Sequence, residues 1–229
     1  MMPFTFRTAR PEDIPALVAL EEDVEKSLPS RDMFATDGPE FYEPIVAGAG
    51  HILLAFDASG GLAGVNVLRY PAPDDSENLG LDLGLSLEEL GRVRHMESVF
   101  LRGDCRGCGL AFQLMQESIR LCEKDGRNIS LATVWPRNAA SLQLFFRLGF
   151  HIRAFAYKYG GRPRFILMRS PAPLRFGDSA TLAEADDHAA HQRLLASALP
   201  PPAAEPLLKE KSFCRNRVVV ISFGRSYKK

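Results

Sequence analysis

A glycine-bearing segment in the middle of the chain has the residue types of an anion-binding loop. It lies between the apolar run Val99, Phe100 and Leu101 and a strongly helical segment. Glycines where a strand turns into a helix let backbone N–H groups approach a phosphate at the positive end of the helix dipole. An arginine adds a fixed positive charge. The residues of this loop are Arg106, Gly107, Cys108, Gly109, Leu110 and Ala111.

Other phosphate-binding loops fit these residues less well. A Walker loop ends in Gly-Lys-Ser/Thr, whereas this segment ends in Gly109, Leu110 and Ala111. A dinucleotide-binding fingerprint needs a third small residue where Phe112 stands, and it normally lies in an N-terminal βαβ unit. A glycine turn that simply caps an ordinary helix remains the alternative interpretation.

A second segment, residues 134–150, has clear signals for the end of a strand followed by a short helix. Pro136 ends the strand, and Asn138 is a favourable residue for the first capping position of a helix. Gly149 has the residue type that most often ends one. Between the two segments the pattern predicts one helix, from about Leu110 to Lys124, and one strand over 129–134.

Taken together, in this order and at this spacing, the two segments resemble the GCN5-related N-acetyltransferase (GNAT) superfamily. The loop is similar to the superfamily signature Gln/Arg-x-x-Gly-x-Gly/Ala, which grips the pyrophosphate of acetyl-coenzyme A. The later helix is similar to the superfamily's Asn-x-x-Ala/Ser helix, whose asparagine contacts the pantetheine arm. The resemblance covers roughly residues 4–170 and implies acetyl-CoA as cosubstrate. It implies cofactor contacts at Val99, Phe100, Leu101, Arg106, Gly107, Cys108, Gly109, Leu110, Ala111, Asn138, Ser141 and Phe145.

The strand predicted over 93–101 carries the residues for the chemistry. Alternation predicts that His95, Glu97, Val99 and Leu101 share one face. Transfer of an acetyl group to an amine needs a group that accepts the ammonium proton, and a carboxylate or an imidazole can do so. In the superfamily an acid on this strand frequently has that role, so Glu97 is the predicted base and His95 the second candidate. The alternative is that Glu97 only pairs with a neighbouring arginine.

Phe145 occupies the position where the superfamily often has a tyrosine that protonates the departing thiolate. Phenylalanine cannot donate a proton, so that role does not carry over. Solvent, Tyr157 or Tyr159 could protonate the thiolate instead. The same departure supports a second hypothesis, in which the chain is a non-catalytic acyl-CoA binding or sensing module.

The resemblance implies an α+β fold with a mixed, mainly antiparallel central sheet flanked by helices. The predicted acetyltransferase domain covers residues 1–171. Residues 172–229 form a short extension with a predicted helix over 182–199 and a strand over 218–223. One helix and one strand cannot bury a core alone, so the extension should pack on the domain or on a second subunit of a homodimer.

The composition limits the kinds of binding partner that we expect for this protein. The 229 residues carry a formal net charge of zero, which gives no general electrostatic case for binding nucleic acid or an anionic membrane. We expect a cytoplasmic protein, because no stretch has the length of apolar residues needed to span a membrane. Cys105 and Cys108 have the spacing of half a zinc site, but no second pair completes it, so we expect reduced thiols and no metal.

The acceptor is predicted to be a primary amine of a small molecule or a peptide. The segment over 71–91 is longer than the shortest superfamily members have there, and it is rich in acids. It could cover the acceptor site and favour a cationic amine, or it could be a solvated loop.

Overall fold

The computed structural model describes residues 4–28, 36–171, 181–184, 187–198 and 217–220. Its strands are β1 (Thr5–Thr8), β2 (Gly50–Phe56), β3 (Leu62–Arg69), β4 (Val93–Leu101), β5 (Ile129–Val134), β6 (His151–Lys158), β7 (Arg162–Arg169), β8 (Thr181–Glu184) and β9 (Arg217–Val220). Its helices are α1 (Ile14–Ser27), α2 (Pro39–Pro44), α3 (Leu79–Asp82), α4 (Leu87–Leu90), α5 (Leu110–Lys124), α6 (Ala139–Arg147) and α7 (His188–Ala198).

Seven strands form one open sheet, in the order β1-β2-β3-β4-β5-β7-β6. The pairs β1–β2, β2–β3, β3–β4 and β6–β7 are antiparallel, and the pair β4–β5 is parallel. A parallel pair needs a crossover connection, and α5 provides it between β4 and β5. The predicted α+β class with a mixed, mainly antiparallel sheet is therefore confirmed.

The chain forms two compact units. The first comprises the residues up to Asn78 together with Leu87–Ala132, and the second comprises Leu79–Ser86 with the residues from Thr133 onwards. The predicted domain boundary after residue 171 stays a prediction.

Two apolar clusters cover opposite faces of the antiparallel strands of the first unit. Successive residues of a strand point to opposite faces, so Leu54 packs towards α1 and α2 while Leu53 packs towards α5. Helix α5 contributes Leu110 and Leu114, which are fully buried. Burying each such side chain contributes roughly 1.5–3 kcal/mol to folding. The start of α5, where the predicted phosphate loop ends, is thus fixed to the sheet.

In the second unit, α7 packs on the hairpin of β6 and β7. The ring of His191 is buried and lies 4.9 Å, centroid to centroid, from the ring of Phe165. The helix begins after Asp187, whose Oδ1 accepts a hydrogen bond from the N–H of Ala190 at 2.8 Å. Asp187 therefore acts as the cap of the helix.

The prediction of one helix over 182–199 was wrong at its start. Residues Thr181–Glu184 form strand β8, which pairs antiparallel with β9. Pairing with β9 holds these residues in a strand, and the cap at Asp187 starts the helix only afterwards. Strand β9 confirms the beginning of the strand predicted over 218–223, and residues 221–223 lie outside the described residues. No described helix is long and apolar enough to cross a membrane.

Candidate functional site

The predicted phosphate loop has the backbone shape that its glycines allow. Gly107 and Gly109 adopt left-handed conformations, with φ of 76° and 85°. An added Cβ would meet no atom within 4 Å at either position, so the backbone conformation, and not crowding, favours glycine there. Gly109 is the residue immediately before α5. The first N–H groups of a helix have no partner within it, so this end of α5 can receive an anion.

Arg102, which lies four residues before the loop, links this part of the chain to the turn between β2 and β3. Its Nη2 donates to Oδ2 of Asp57 at 2.6 Å, and its Nη1 donates to the carbonyl of Leu62 at 3.1 Å. Its Nε donates to Oδ1 of Asp104 at 2.7 Å. Hydrogen bonds from Ser59 and Arg102 hold the pKa of Asp57 well below its usual range. The carboxylate of Asp57 therefore stays charged at any pH where the protein would be used.

The charged side chain of the loop is also anchored. Arg106 donates through Nη2 to Oγ of Ser27 at 2.9 Å and through Nε to the carbonyl of Leu101 at 3.3 Å. These contacts tie the loop to the end of α1 and to the end of β4. The guanidinium of Arg106 is therefore held in one orientation before any anion binds.

The cysteines near the loop are free thiols. Cys105 is buried and Cys108 is exposed, and Sγ of Cys108 donates to the carbonyl of Cys105 at 3.1 Å. Burial raises the pKa of Cys105, so it is a neutral thiol at physiological pH. Within the described ranges, no group of three or more His, Cys, Asp or Glu side chains could hold a metal ion. Cys214 lies outside those ranges.

Strand β4 contains a one-residue bulge at Glu97. Val67 of β3 pairs with Ser98, but the next residue, Leu68, pairs with Met96. Glu97 is therefore the extra residue. A bulge interrupts the alternation of side chains, so the residues before and after it no longer follow one pattern.

This bulge corrects the prediction that His95, Glu97, Val99 and Leu101 share one face. Val99 and Leu101 pack with the cluster on the α5 side. His95 is paired with Arg69, which lies two residues after Val67 of the cluster on the α1 and α2 side. His95 consequently faces away from Val99. Alternation alone could not reveal this, because the sequence of the strand continues without a visible break.

Glu97 is held by a network of charged side chains. Its Oε1 accepts a hydrogen bond from Nε of Arg69 at 2.7 Å and lies 3.3 Å from Nδ1 of His95. Nη1 of the same arginine contacts Oδ2 of Asp75 at 2.6 Å. Burial of Glu97 opposes its ionisation, but His95 and Arg69 outweigh that effect and lower its pKa. The expected pairing with an arginine is thus present, and Asp75 of the acidic 71–91 segment joins it.

The second oxygen of Glu97 has no hydrogen-bond or ion-pair contact among the described residues. One oxygen is therefore anchored and the other can accept a proton or a hydrogen bond from a bound molecule. His95 is only 2% exposed, so it is less accessible than Glu97, whose side chain is 20% exposed.

A second pair of acids lies beside this network. The hydroxyl of Tyr42 and the N–H of Asp37 both donate to Oε1 of Glu21. Oγ of Ser98 lies 3.4 Å from Oδ2 of Asp37 and donates to it. Desolvation of its carboxyl, followed by repulsion from Glu21 and Glu97, raises the pKa of Asp37 to about 6.

The sequence analysis missed Glu21, Asp37 and Arg69. One signal was available for Glu21, because it lies on the core-facing side of α1 between Leu20 and Val24, which are both buried. An acid at such a position normally has a polar partner. Asp37 and Arg69 gave no local signal, since their partners come from other elements.

The remaining predicted site residues belong to the second unit. Asn138 caps α6, and its Oδ1 accepts from the N–H of Ser141 at 3.1 Å, which confirms the predicted cap. Phe145 is 4% exposed and packs edge-on against Phe150 at 4.9 Å between ring centroids. Its side chain is therefore part of the packing of that unit.

The two tyrosines considered as proton donors are both about half exposed. The hydroxyl of Tyr157 lies 3.2 Å from Nδ1 of His188. The hydroxyl of Tyr159 lies 3.2 Å from Oγ1 of Thr133. Both hydroxyls thus already have a polar partner within the second unit.

Comparison with known proteins identifies the family. Residues 20–150, more than half of the chain, match the model of the Acetyltransferase (GNAT) family. The chain therefore belongs to that family.

Similar proteins agree with this membership. An L-methionine sulfoximine/L-methionine sulfone acetyltransferase from Pseudomonas paraeruginosa is 44% identical over 62 residues, which cover 27% of this chain and 35% of that protein. The match thus spans about a third of the length of this curated relative. The structure of Arabidopsis thaliana NAA60 in complex with acetyl-CoA has a TM-score of 0.58 at 16% identity, over 73% of this chain and 99% of that one.

A phosphinothricin acetyltransferase from Sinorhizobium meliloti, solved in complex with AcCoA, has a TM-score of 0.55 at 18% identity. That alignment covers 73% of this chain and 88% of the other. At these identities the two solved structures show a shared fold.

Proposed function

We propose that this protein is an acetyl-CoA-dependent N-acetyltransferase that transfers an acetyl group directly to a primary amine of a small molecule or peptide. One observation carries the proposal. The strand that ends at the phosphate loop also presents a carboxylate, Glu97, with one oxygen anchored by Arg69 and the other available. A base and an anion-binding loop on one short stretch of chain suit a reaction between an amine and a phosphate-bearing thioester.

In this proposal the pyrophosphate of acetyl-CoA binds the loop over residues 106–111. The left-handed glycines and the start of α5 supply N–H groups, and Arg106 supplies positive charge. Val99, Phe100 and Leu101 lie along the cofactor on β4. For the second unit, the family resemblance assigns Asn138 to the pantetheine arm, with Ser141 and Phe145 as further contacts.

The reaction begins when the substrate ammonium gives a proton to Glu97, directly or through water. The free amine then attacks the thioester carbonyl, whose oxygen is polarised by a backbone N–H near Leu101. The new C–N bond forms as the C–S bond breaks. The nitrogen loses a second proton, and solvent protonates the departing thiolate. One proton is released overall, and His95 is the second candidate for the base.

The acids of the first unit support a cationic acceptor. Asp75 and Glu97 both contact Arg69. Glu21 and Glu97 both raise the pKa of Asp37, so these carboxylates are neighbours and together outnumber the guanidinium of Arg69. An ammonium group would offset that imbalance. The curated relative that acts on L-methionine sulfoximine and the phosphinothricin acetyltransferase suggest small amino-acid-like amines as first acceptors to test.

Phe145 favours a second candidate function, a non-catalytic acyl-CoA binding or sensing module. Its buried ring carries no hydroxyl that could protonate a thiolate. Release of free thiol from acetyl-CoA separates the two functions. We would screen a library of amines that includes L-methionine sulfoximine, phosphinothricin, polyamines and peptides with free N-termini.

An enzyme should release thiol only when a suitable amine is present, and mass spectrometry should find the acetylated amine. The N-acetylated form of the same amine is the control, because it cannot be acetylated again at that nitrogen. Tight binding of acetyl-CoA by calorimetry, with no thiol release across the whole library, would support the sensor and overturn the enzyme. A homodimer and a cytoplasmic location stay predictions from the sequence.

A further inference from the structure

Asn66 is a polar residue in an apolar place. It is 1% exposed and lies on β3 between two cross-strand neighbours, Leu53 of β2 and Val99 of β4. Both neighbours belong to the apolar cluster on the α5 side of the sheet. Strand partners share a face, so the amide of Asn66 points into that cluster.

Only one of the two polar groups of this side-chain amide has a hydrogen-bond partner among the described residues. Nδ2 of Asn66 donates to the carbonyl of Ser98 at 2.9 Å. Its Oδ1 is buried and has no hydrogen-bond partner among the described residues. A buried acceptor without a partner destabilises a fold, whereas an apolar side chain of similar size would pack there without that cost. The stability of the fold therefore does not explain an asparagine at this position. The hydrogen bond to the carbonyl of Ser98 does explain it.

Ser98 is the residue directly after the bulge at Glu97. A trans peptide is planar, with its C=O and N–H pointing in opposite directions. A Ser98 carbonyl that is held by Asn66 therefore directs the N–H of Val99 away from the amide of Asn66. The same bond restrains the rotation of the backbone that carries Glu97, whose side chain lies on the face opposite to Val99.

We infer that Asn66 is a positioning residue for acetyl transfer, because its bond to the Ser98 carbonyl fixes the β4 bulge that presents the Glu97 carboxylate. The inference rests on the proposed function. Asn66 contacts no reacting atom in it. Loss of the bond leaves the apolar packing in place but lets the bulge move, and a displacement of about 1 Å can lower a rate by about 10²-fold.

The test replaces Asn66 with leucine, which matches the apolar surroundings and removes the donor. Asn66→Leu should melt at or above the wild-type temperature and should bind acetyl-CoA with an affinity within about twofold of wild type. Its kcat should fall by about tenfold or more. A purely structural role would lower the melting temperature instead.

Ser118→Ala is the control. Ser118 is fully buried, and its Oγ donates to the carbonyl of Leu114 at 2.9 Å within α5. This variant also loses a buried hydrogen bond from a side chain to a backbone carbonyl, and its kcat should fall only as far as its folded fraction does. An Asn66→Leu protein with wild-type kcat, or with a loss no larger than that of the control, overturns the inference.

A second measurement does not depend on finding an acceptor. Amide hydrogen exchange at Ser98 and Val99 should be at least about tenfold faster in Asn66→Leu, while exchange in α5 is unchanged. Unchanged exchange at both amides overturns the restraint on the bulge. If no amine is acetylated by the wild-type protein, the proposed enzymatic function fails, and the exchange result still decides whether Asn66 fixes the bulge.

Discussion

Replacing Glu97 with glutamine tests the proposed base most directly. The amide keeps the size of the side chain, and its oxygen can still accept the bond from Nε of Arg69. It cannot accept a proton from an ammonium. We expect turnover to fall by about 10²-fold or more, which corresponds to about 2.7 kcal/mol of lost transition-state stabilisation. Affinity for acetyl-CoA should change little.

The effect of Glu97→Gln on stability can be estimated from the contacts among Glu97, Arg69 and Asp75. A hydrogen bond between charged groups contributes roughly 1.5–3 kcal/mol, but here it is only partly lost. Arg69 keeps its 2.6 Å contact with Asp75, and the side chains of Arg69 and Glu97 are 23% and 20% exposed. We therefore expect the free energy of unfolding of Glu97→Gln to be about 1 kcal/mol lower than that of the wild type. This value is near the upper end of what a partly solvent-screened ion pair contributes.

The pH dependence of this loss has a definite sign. The pKa of Glu97 is lowered in the folded protein, so its ionised form stabilises the fold above its unfolded pKa. That contribution disappears as the pH falls through the folded pKa. The stability difference between wild type and Glu97→Gln should therefore shrink on acidification, as measured by denaturant unfolding.

Asp75→Asn is the matched control. Asp75 contacts the same arginine at a similar distance and with a similar exposure, but it is not the proposed base. The assay is thiol release with an identified acceptor between pH 6 and 9, with folding checked by melting. With saturating acceptor, Asp75→Asn should keep turnover within about threefold of wild type, because a lost contribution to binding the cation raises KM and leaves kcat unchanged. Wild-type turnover of Glu97→Gln across this pH range would refute the reasoning and favour His95 or water. An equal loss of turnover in both variants would show that catalysis depends on the intact charge network and not on Glu97 as a base.

Three further variants test separate parts of the site. Gly109→Asp should abolish acetyl-CoA binding in calorimetry, because its carboxylate repels phosphates, whereas Gly126→Asp, with a similar left-handed conformation and equal open space, should bind normally. Equal affinity in the two folded proteins would contradict the loop assignment. The pKa of Asp37 is raised to about 6, so its ionisation opposes folding above that pH. Asp37→Asn should therefore gain stability over wild type at pH 7 but not at pH 4, and a difference independent of pH would contradict this. Phe145→Tyr should be destabilised by roughly 1–3 kcal/mol in denaturant unfolding, because the Phe145 ring is buried and an added hydroxyl would lose its contact with water; unchanged stability would show that the hydroxyl reaches a polar partner.

The sequence predicted the elements around the phosphate loop well because their signals are local. The bounds of α5 and β5 follow from glycine turns and from apolar periodicity within each segment. The cap at Asn138 likewise depends on residues three positions apart. Such features are decided by near neighbours in the chain.

The candidate site itself was predicted only in part. Glu97 and its arginine contact were anticipated, but the identity of the arginine was not, since Arg69 comes from another strand. The bulge at Glu97 depends on how β3 and β4 pair, and alternation in one strand cannot show it. Strand β8 was missed for a similar reason, because its partner, β9, lies over 30 residues away in the chain.

The contacts of Arg102 have a consequence for the thermodynamics of cofactor binding. Fixing the backbone of one loop residue costs about 1–2 kcal/mol of conformational entropy. Arg102, just before the loop, is hydrogen-bonded to Asp57 and to the carbonyl of Leu62. Part of the conformational entropy of the loop is therefore already lost when the protein folds. Binding of a phosphate-bearing molecule should then carry a small entropic penalty. Substitutions at Asp57, 49 positions before Arg106, should consequently weaken binding through a larger entropy loss while the phosphate contacts themselves stay the same.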